Sequence, residues 1–142
     1  MINCVGMAHF SPYNKLTFSE ISRINNTNIN SLHFMLKLQN LLKKNRLMTE
    51  RPFFINISSI VARHPHEFST VYAATKAYMS NLIQGVSQEN KKQVFLNVEP
   101  WFVKTKMVNY QKTWDSAAPK EVVKGAFKVL GKRLHCSGCI RH

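Results

Sequence analysis

Glycine is scarce. The five glycines, Gly6, Gly85, Gly125, Gly131 and Gly138, each stand alone. Neither Gly-x-x-x-Gly-x-Gly nor Gly-x-Gly-x-x-Gly occurs, so the sequence lacks the turn that lets a helix N-terminus receive a pyrophosphate. Three cysteines, Cys4, Cys136 and Cys139, are too few for a disulfide framework and point to a reducing compartment or a cytosol-facing surface. No apolar run approaches the roughly 18 residues of a membrane span, and the N-terminus turns polar by Ser11, unlike a secretory signal, so a soluble chain is expected. Acidic residues are also few. Seven Asp and Glu face 20 Lys and Arg, a formal net charge of +13. That excess raises affinity for nucleic acid, anionic lipid and dinucleotide phosphates alike, and chooses none of them.

What is present is the composition of one globular domain: 142 residues, 44% hydrophobic and 11% aromatic. A short apolar start at Met1 to Val5 turns at Gly6, an odd place for a domain to begin. Ile21, Ile24, Ile29, Leu32, Phe34, Met35, Leu38, Leu41 and Leu42 recur at helical spacing from Phe18 to about Lys44, interrupted around Asn25 to Asn28. The pattern predicts two helices, or one beginning near Asn28. Phe53 to Ser59 reads as a buried strand, and Ser69-Thr70 offers an N-cap for a long helix from Val71 to Glu89. Gln93 to Glu99 is a second strand, stopped by Pro100. A helix within Thr113 to Leu130 has Pro119 in its first turn and Gly131 at its end, and a last short strand covers Cys136 to Ile140. Strands alternating with helices predict an α/β fold with right-handed crossovers and a parallel sheet.

The chemistry centres on Tyr72-Ala73-Ala74-Thr75-Lys76. On a helix, residues i and i+4 share a face about 5–6 Å apart, so the Lys76 ammonium is expected to favour ionisation of the Tyr72 phenol, whose free pKa is about 10. Ser59, at the end of the first strand run, is positioned to polarise a carbonyl oxygen. The plain alternative is an exposed helix pair, a strand-end hydroxyl and, for Asn28, a helix-start cap. Cys136-x-x-Cys139, flanked by His135 and His142, would need four ligands in a very tight loop, so no metal is expected there. His64-Pro65-His66 reads as exposed loop. Without an aromatic-basic strand or a zinc pattern, no specific nucleic-acid partner is expected.

In order, Asn3-Cys4-Val5-Gly6, Asn28, Asn56-Ile57-Ser58-Ser59, Tyr72-Ala73-Ala74-Thr75-Lys76 and Pro100 to Thr105 resemble the spaced motifs of the short-chain dehydrogenase/reductase family over nearly the whole chain. The wording is closest to its 17β-hydroxysteroid dehydrogenase and very-long-chain 3-oxoacyl-CoA reductase subgroup. The resemblance implies the C-terminal portion of a Rossmann-like doubly wound parallel sheet, with residues 1–142 as the catalytic part of the domain. It implies that NADP(H), or NAD(H), exchanges hydride with a small-molecule lipid carbonyl or hydroxyl. Tyr72 would carry the proton, Lys76 would lower the Tyr72 pKa and bind the nicotinamide ribose, and Ser59 would hold the carbonyl oxygen. Asn28, with Asn30 as runner-up, would anchor a water. Pro100, the Val103 backbone and the Thr105 hydroxyl would meet the nicotinamide carboxamide, and Asn3 the adenosine side. It admits a homodimer along the long helices and, for a full-length relative, the cytosolic face of the endoplasmic reticulum.

Two departures stand out. Cys4 and Trp101 replace the family's usual Asn and Gly, and the first strands with their glycine-rich turn are missing. The expectation is therefore a truncated reductase. A catalytically incompetent remnant acting as an interaction protein is the alternative.

Overall fold

A computed structural model of the chain describes residues 1–48, 51–108 and 116–139. Strands β1 (Ile2–Asn3), β2 (Phe53–Ile57), β3 (Val94–Val98) and β4 (His135–Cys136) form one sheet in that spatial order. Every pairing is parallel. Helices α1 (Phe18–Asn25), α2 (Ser31–Lys44), α3 (Thr70–Glu89) and α4 (Pro119–Val129) make the connections. This is the α/β layout with a parallel sheet that the alternation of strand and helix patterns predicts, and the Rossmann-like one that the resemblance implies.

Both sheet faces are covered, because the strands alternate two apolar sets. Phe54 and Phe95 are register partners and pack with Leu32 and Leu36 of α2 and Met79 and Ile83 of α3. Ile55, Leu96 and Val98 point the other way, against Val122 and Ala126 of α4. Full burial of a side chain such as Phe54 or Ile83 contributes about 2–3 kcal/mol. The two layers hold the C-terminal strand ends rigid, and those ends carry the polar residues described below.

Local signals explain the element boundaries. Thr17 and Glu20 form a reciprocal capping box at the start of α1. Pro119 opens α4, where the Glu121 carboxylate accepts from the Ala118 N–H at 2.8 Å. The interruption expected at Asn25 to Asn28 is a π-helical turn, Asn26–Asn30, that joins α1 to α2 without breaking the helix.

Two boundaries differ from expectation. The long helix begins at Thr70, and Ser69 does not cap it through its hydroxyl, which donates to the His66 carbonyl at 2.7 Å. The last strand is His135–Cys136 rather than Cys136 to Ile140, because Gly138 takes a positive φ of 84° that ends extended pairing; Ile140 lies outside the described residues. Thr113, the expected outer limit of the final helix, and His142 also lie outside them.

Candidate active site

Ser58 and Ser59 follow directly from β2. The Ser58 N–H donates to the Val98 carbonyl at 2.7 Å and the Ile60 N–H to the Pro100 carbonyl at 3.0 Å, which stitches this loop to the end of β3. Ser59 is extended and begins a short 3-10 turn, its hydroxyl accepting weakly from the Val61 N–H at 3.4 Å. That contact is the strand-end role of the plain alternative. The same hydroxyl lies beside the Tyr72 phenol, near enough to favour its ionisation. Helix α3 presents Tyr72 and Lys76 on its buried face, at 9% and 4% exposure. The Lys76 ammonium donates to the Ile57 carbonyl at 2.9 Å and lies 5.6 Å from the centre of the Tyr72 ring. Ser59, Tyr72 and Lys76 are therefore one cluster.

The electrostatics differ from expectation in one respect. Burial pushes the Tyr72 phenol above its ordinary value, with the nearby Ser59 hydroxyl opposing the rise. The expectation that Lys76 makes the phenol more acidic is thereby corrected: Lys76 points its charge at Ile57, and removal from water dominates. Burial also pushes Lys76 down to about 8, with a small opposing pull from Cys4. Tyr72 thus keeps its proton at neutral pH, and Lys76 remains mostly cationic beside it.

Asn28 sits in the π turn, fully buried between exposed Asn26 and Asn30. Its amide nitrogen donates to the Met7 carbonyl at 3.0 Å and to the Thr75 hydroxyl at 2.8 Å. Thr75 in turn donates to the Tyr72 carbonyl at 2.7 Å. Asn30 bonds Asn26 on the surface, so of the two asparagines Asn28 is the one that reaches the cluster. Gly6 completes it from above: a Cβ there would fall 3.3 Å from the Lys76 ammonium and 3.6 Å from Asn28 Oδ1. This close approach gives the isolated Gly6 a physical reason.

The remaining sequence candidates border the cluster. Asn3 is fully buried, but its amide donates to Asn56 at 3.0 Å and its oxygen accepts from the Val5 N–H at 3.3 Å. Its side chain is committed to the fold. Pro100 is buried at the end of β3. Val103 bridges Ala117 in parallel, and the bridge uses the Phe102 carbonyl and the Lys104 N–H, leaving the Val103 peptide groups directed away from Ala117. Thr105 follows one turn later, half-buried. Phe10 packs edge-on to Tyr72 at 6.3 Å between ring centres, and Trp101 does the same to His66 at 5.1 Å. The loop histidine His66 is exposed as expected, with Trp101 as its ring partner.

Sequence reasoning passed over a second group. Asn3, Asn56, Asn97 and His135 are register neighbours across all four strands. Asn56 donates to Asn97 at 2.7 Å, and Asn97 to the Glu99 carboxylate at 2.8 Å. The shared strand position of the three asparagines was the available signal. A cavity of about 310 Å³ opens at the His135 end, bordered by Arg63, Ser80 and Glu99.

The short chain dehydrogenase family model matches residues 1–116. The very-long-chain 3-oxoacyl-CoA reductase of Rattus norvegicus is 33% identical over 150 residues, covering 100% of this chain and 47% of that protein. The Bos taurus protein of the same name is 28% identical over 146 residues, covering 97% and 46%. The chain spans about half the length of these relatives. Among solved structures, a 7β-hydroxysteroid dehydrogenase superposes with a TM-score of 0.80 at 18% identity, covering 95% of this chain and 55% of that one. The 3-ketoacyl-(acyl-carrier-protein) reductase from Brucella melitensis, complexed with NADH, gives 0.80 at 19% identity over 90% and 57%. These structural likenesses establish the fold.

Proposed function

The chain belongs to the short chain dehydrogenase family, and from that premise we propose that it is the acid/base portion of an NADP(H)-dependent oxidoreductase acting on a lipid carbonyl or hydroxyl. The substrate class is a steroid or a 3-oxoacyl-CoA, the second suggested by the very-long-chain reductases it resembles. One observation carries the reading: the Ser59 hydroxyl lies beside a buried, protonated Tyr72 phenol with the Lys76 cation on the next helical turn.

The residues fit the nicotinamide end of such a cofactor. Gly6 leaves backbone room over Lys76, and the Lys76 ammonium gives one hydrogen to Ile57 and carries two more. They do not fit the phosphate end, because the sequence has no glycine-rich turn. The cofactor, when bound, supplies the hydride. Tyr72 would deliver its proton from the phenol oxygen to a carbonyl oxygen that Ser59 holds, and burial keeps that proton on the phenol at neutral pH. Lys76 would hold the ribose. Asn28 would anchor a water beside the contacts it already makes, its side chain with Met7 and Thr75 and its backbone carbonyl with the Ser31 hydroxyl. Val103, through its outward peptide groups, and Thr105 would line the carboxamide beside Pro100. Asn3 would shape the adenosine-side wall without contributing its amide. NADP(H) is the proposed dinucleotide, with NAD(H) as the alternative. Among the described residues no helix is long and apolar enough to cross a membrane. The endoplasmic-reticulum surface and a homodimer belong to the same reading.

Calorimetric titration of NADPH and NADP⁺ into the purified chain tests this, alongside turnover of a 3-oxoacyl-CoA. The expected result is binding, with turnover reduced at least about 100-fold in Tyr72→Phe at nearly unchanged affinity. A folded chain that binds neither dinucleotide would sink the enzymatic reading and leave the interaction protein.

A further inference from the structure

Glu99 is a carboxylate at 5% exposure, and a buried carboxylate needs partners. It draws them from four elements. One oxygen lies 2.8 Å from the Arg63 guanidinium, on the loop that carries Ser59. The other accepts from the Ser80 hydroxyl of α3 at 2.9 Å and from the Asn97 amide of β3 at 2.8 Å. That oxygen also lies 3.3 Å from His135 Nδ1 on β4.

Two of these partners matter for the candidate active site. Arg63 closes the 3-10 turn that Ser59 opens. Ser80 stands one helical turn beyond Lys76, and its hydroxyl meets that of Ser58 at 3.0 Å, while Ser58 donates to the Lys76 carbonyl at 3.0 Å. We propose that Glu99 is a positioning residue: by gripping Arg63 on the serine loop and Ser80 on the tyrosine helix at once, its carboxylate sets the distance between Ser59 and Tyr72. Charge-assisted bonds of this kind are short and directional, and a buried network constrains geometry more tightly than apolar contact does. The Ser58–Ser80 hydroxyl contact and the Ser80–Glu99 hydrogen bond together make one connected path from the Lys76 backbone to Arg63. The role rests on the reading of Ser59 and Tyr72 as a functional pair.

The test reads the influence of Ser59 on the Tyr72 phenol directly and requires neither dinucleotide nor turnover. The full chain is labelled with tyrosine carrying ¹³C at Cζ, whose NMR signal responds to hydrogen bonding of the phenol, and the Tyr72 signal is assigned by its loss in Tyr72→Phe. Ser59→Ala, Glu99→Ala and the double variant form a cycle at neutral pH. If Glu99 positions the pair, Ser59→Ala shifts the Tyr72 signal in the wild-type background and has little further effect once Glu99 is gone. Any direct effect of removing the Glu99 charge is common to both arms and cancels. Glu99→Gln, which still accepts from Ser80 but loses the ionic grip on Arg63, is expected to restore part of the Ser59 effect.

An undiminished Ser59→Ala shift in the Glu99→Ala background overturns the proposal, even if Glu99→Ala lowers the melting temperature, because stability alone would then be the role of Glu99. If Glu99→Ala does not fold, the same cycle is run with Arg63→Ala, whose side chain is half exposed, and the same two outcomes decide. A chain that fails to bind NADPH but shows the coupling defeats the enzymatic reading and leaves the positioning intact.

Discussion

Asn28 and Met7 exchange two hydrogen bonds: Asn28 Oδ1 accepts from the Met7 N–H at 2.8 Å, and its Nδ2 donates to the Met7 carbonyl at 3.0 Å. The side-chain amide thus pairs with a peptide of the loop after β1 as a neighbouring strand would. It holds the Gly6 segment over Lys76.

Replacing Asn28 by Ala leaves the part-buried Met7 peptide and the buried Thr75 hydroxyl without this partner. The expected cost is about 2–4 kcal/mol in urea unfolding. Asn30→Ala, on the exposed side of the same π turn, should cost under about 1 kcal/mol. Similar costs for the two variants would show that Asn28 is not the clamp.

Lys76 gives a pH signature. Its folded pKa is about 8 against 10.5 for the free group. Below pH 8 the lysine is charged in both states, and the cost of burying that charge is fully present. As pH rises from 8 towards 10.5 the unfolded chain keeps a proton that the folded chain has released, so stability rises. Relative to Lys76→Met, the wild type should gain on the order of 2–3 kcal/mol across this window in denaturation measured at fixed ionic strength. A flat difference between pH 8 and 10 would mean that Lys76 is solvated.

Two helical glycines should respond oppositely to Ala. At Gly85 in α3 an added methyl group would meet nothing within 4 Å, so Gly85→Ala should stabilise the chain by about 1 kcal/mol through helix propensity. At Gly125 in α4 a Cβ would fall 1.7 Å from the Gly138 carbonyl oxygen, and Gly138 is itself held at positive φ. Gly125→Ala should cost at least about 3 kcal/mol or prevent α4 from docking. Thermal melts of the two variants make the comparison. Equal shifts would contradict the contact between α4 and the loop after β4.

The strands and long helices were legible because their apolar residues alternate or recur at helical period, and that period is a property of the chain alone. The cluster of Ser59, Tyr72 and Lys76 was legible as a motif for the same reason: spacing on one helix and a strand end determine which side chains can meet. Asn28 could be singled out but not separated from Asn30, since the extra residue of the π turn decides which asparagine turns inward. Glu99, Arg63 and His135 were not legible as a group, because they are distant in sequence and adjacent only across β3, β4 and the serine loop.

The sequence by itself determined the alternation of strand and helix, the residue types at the candidate active site and the absence of a glycine-rich turn. Tertiary structure decided the protonation of the site. Spacing alone places Lys76 beside Tyr72 and suggests an acidified phenol, whereas the fold removes both groups from water and gives the Lys76 hydrogen to Ile57. Desolvation depends on everything packed around a group, and no local pattern in the chain records it.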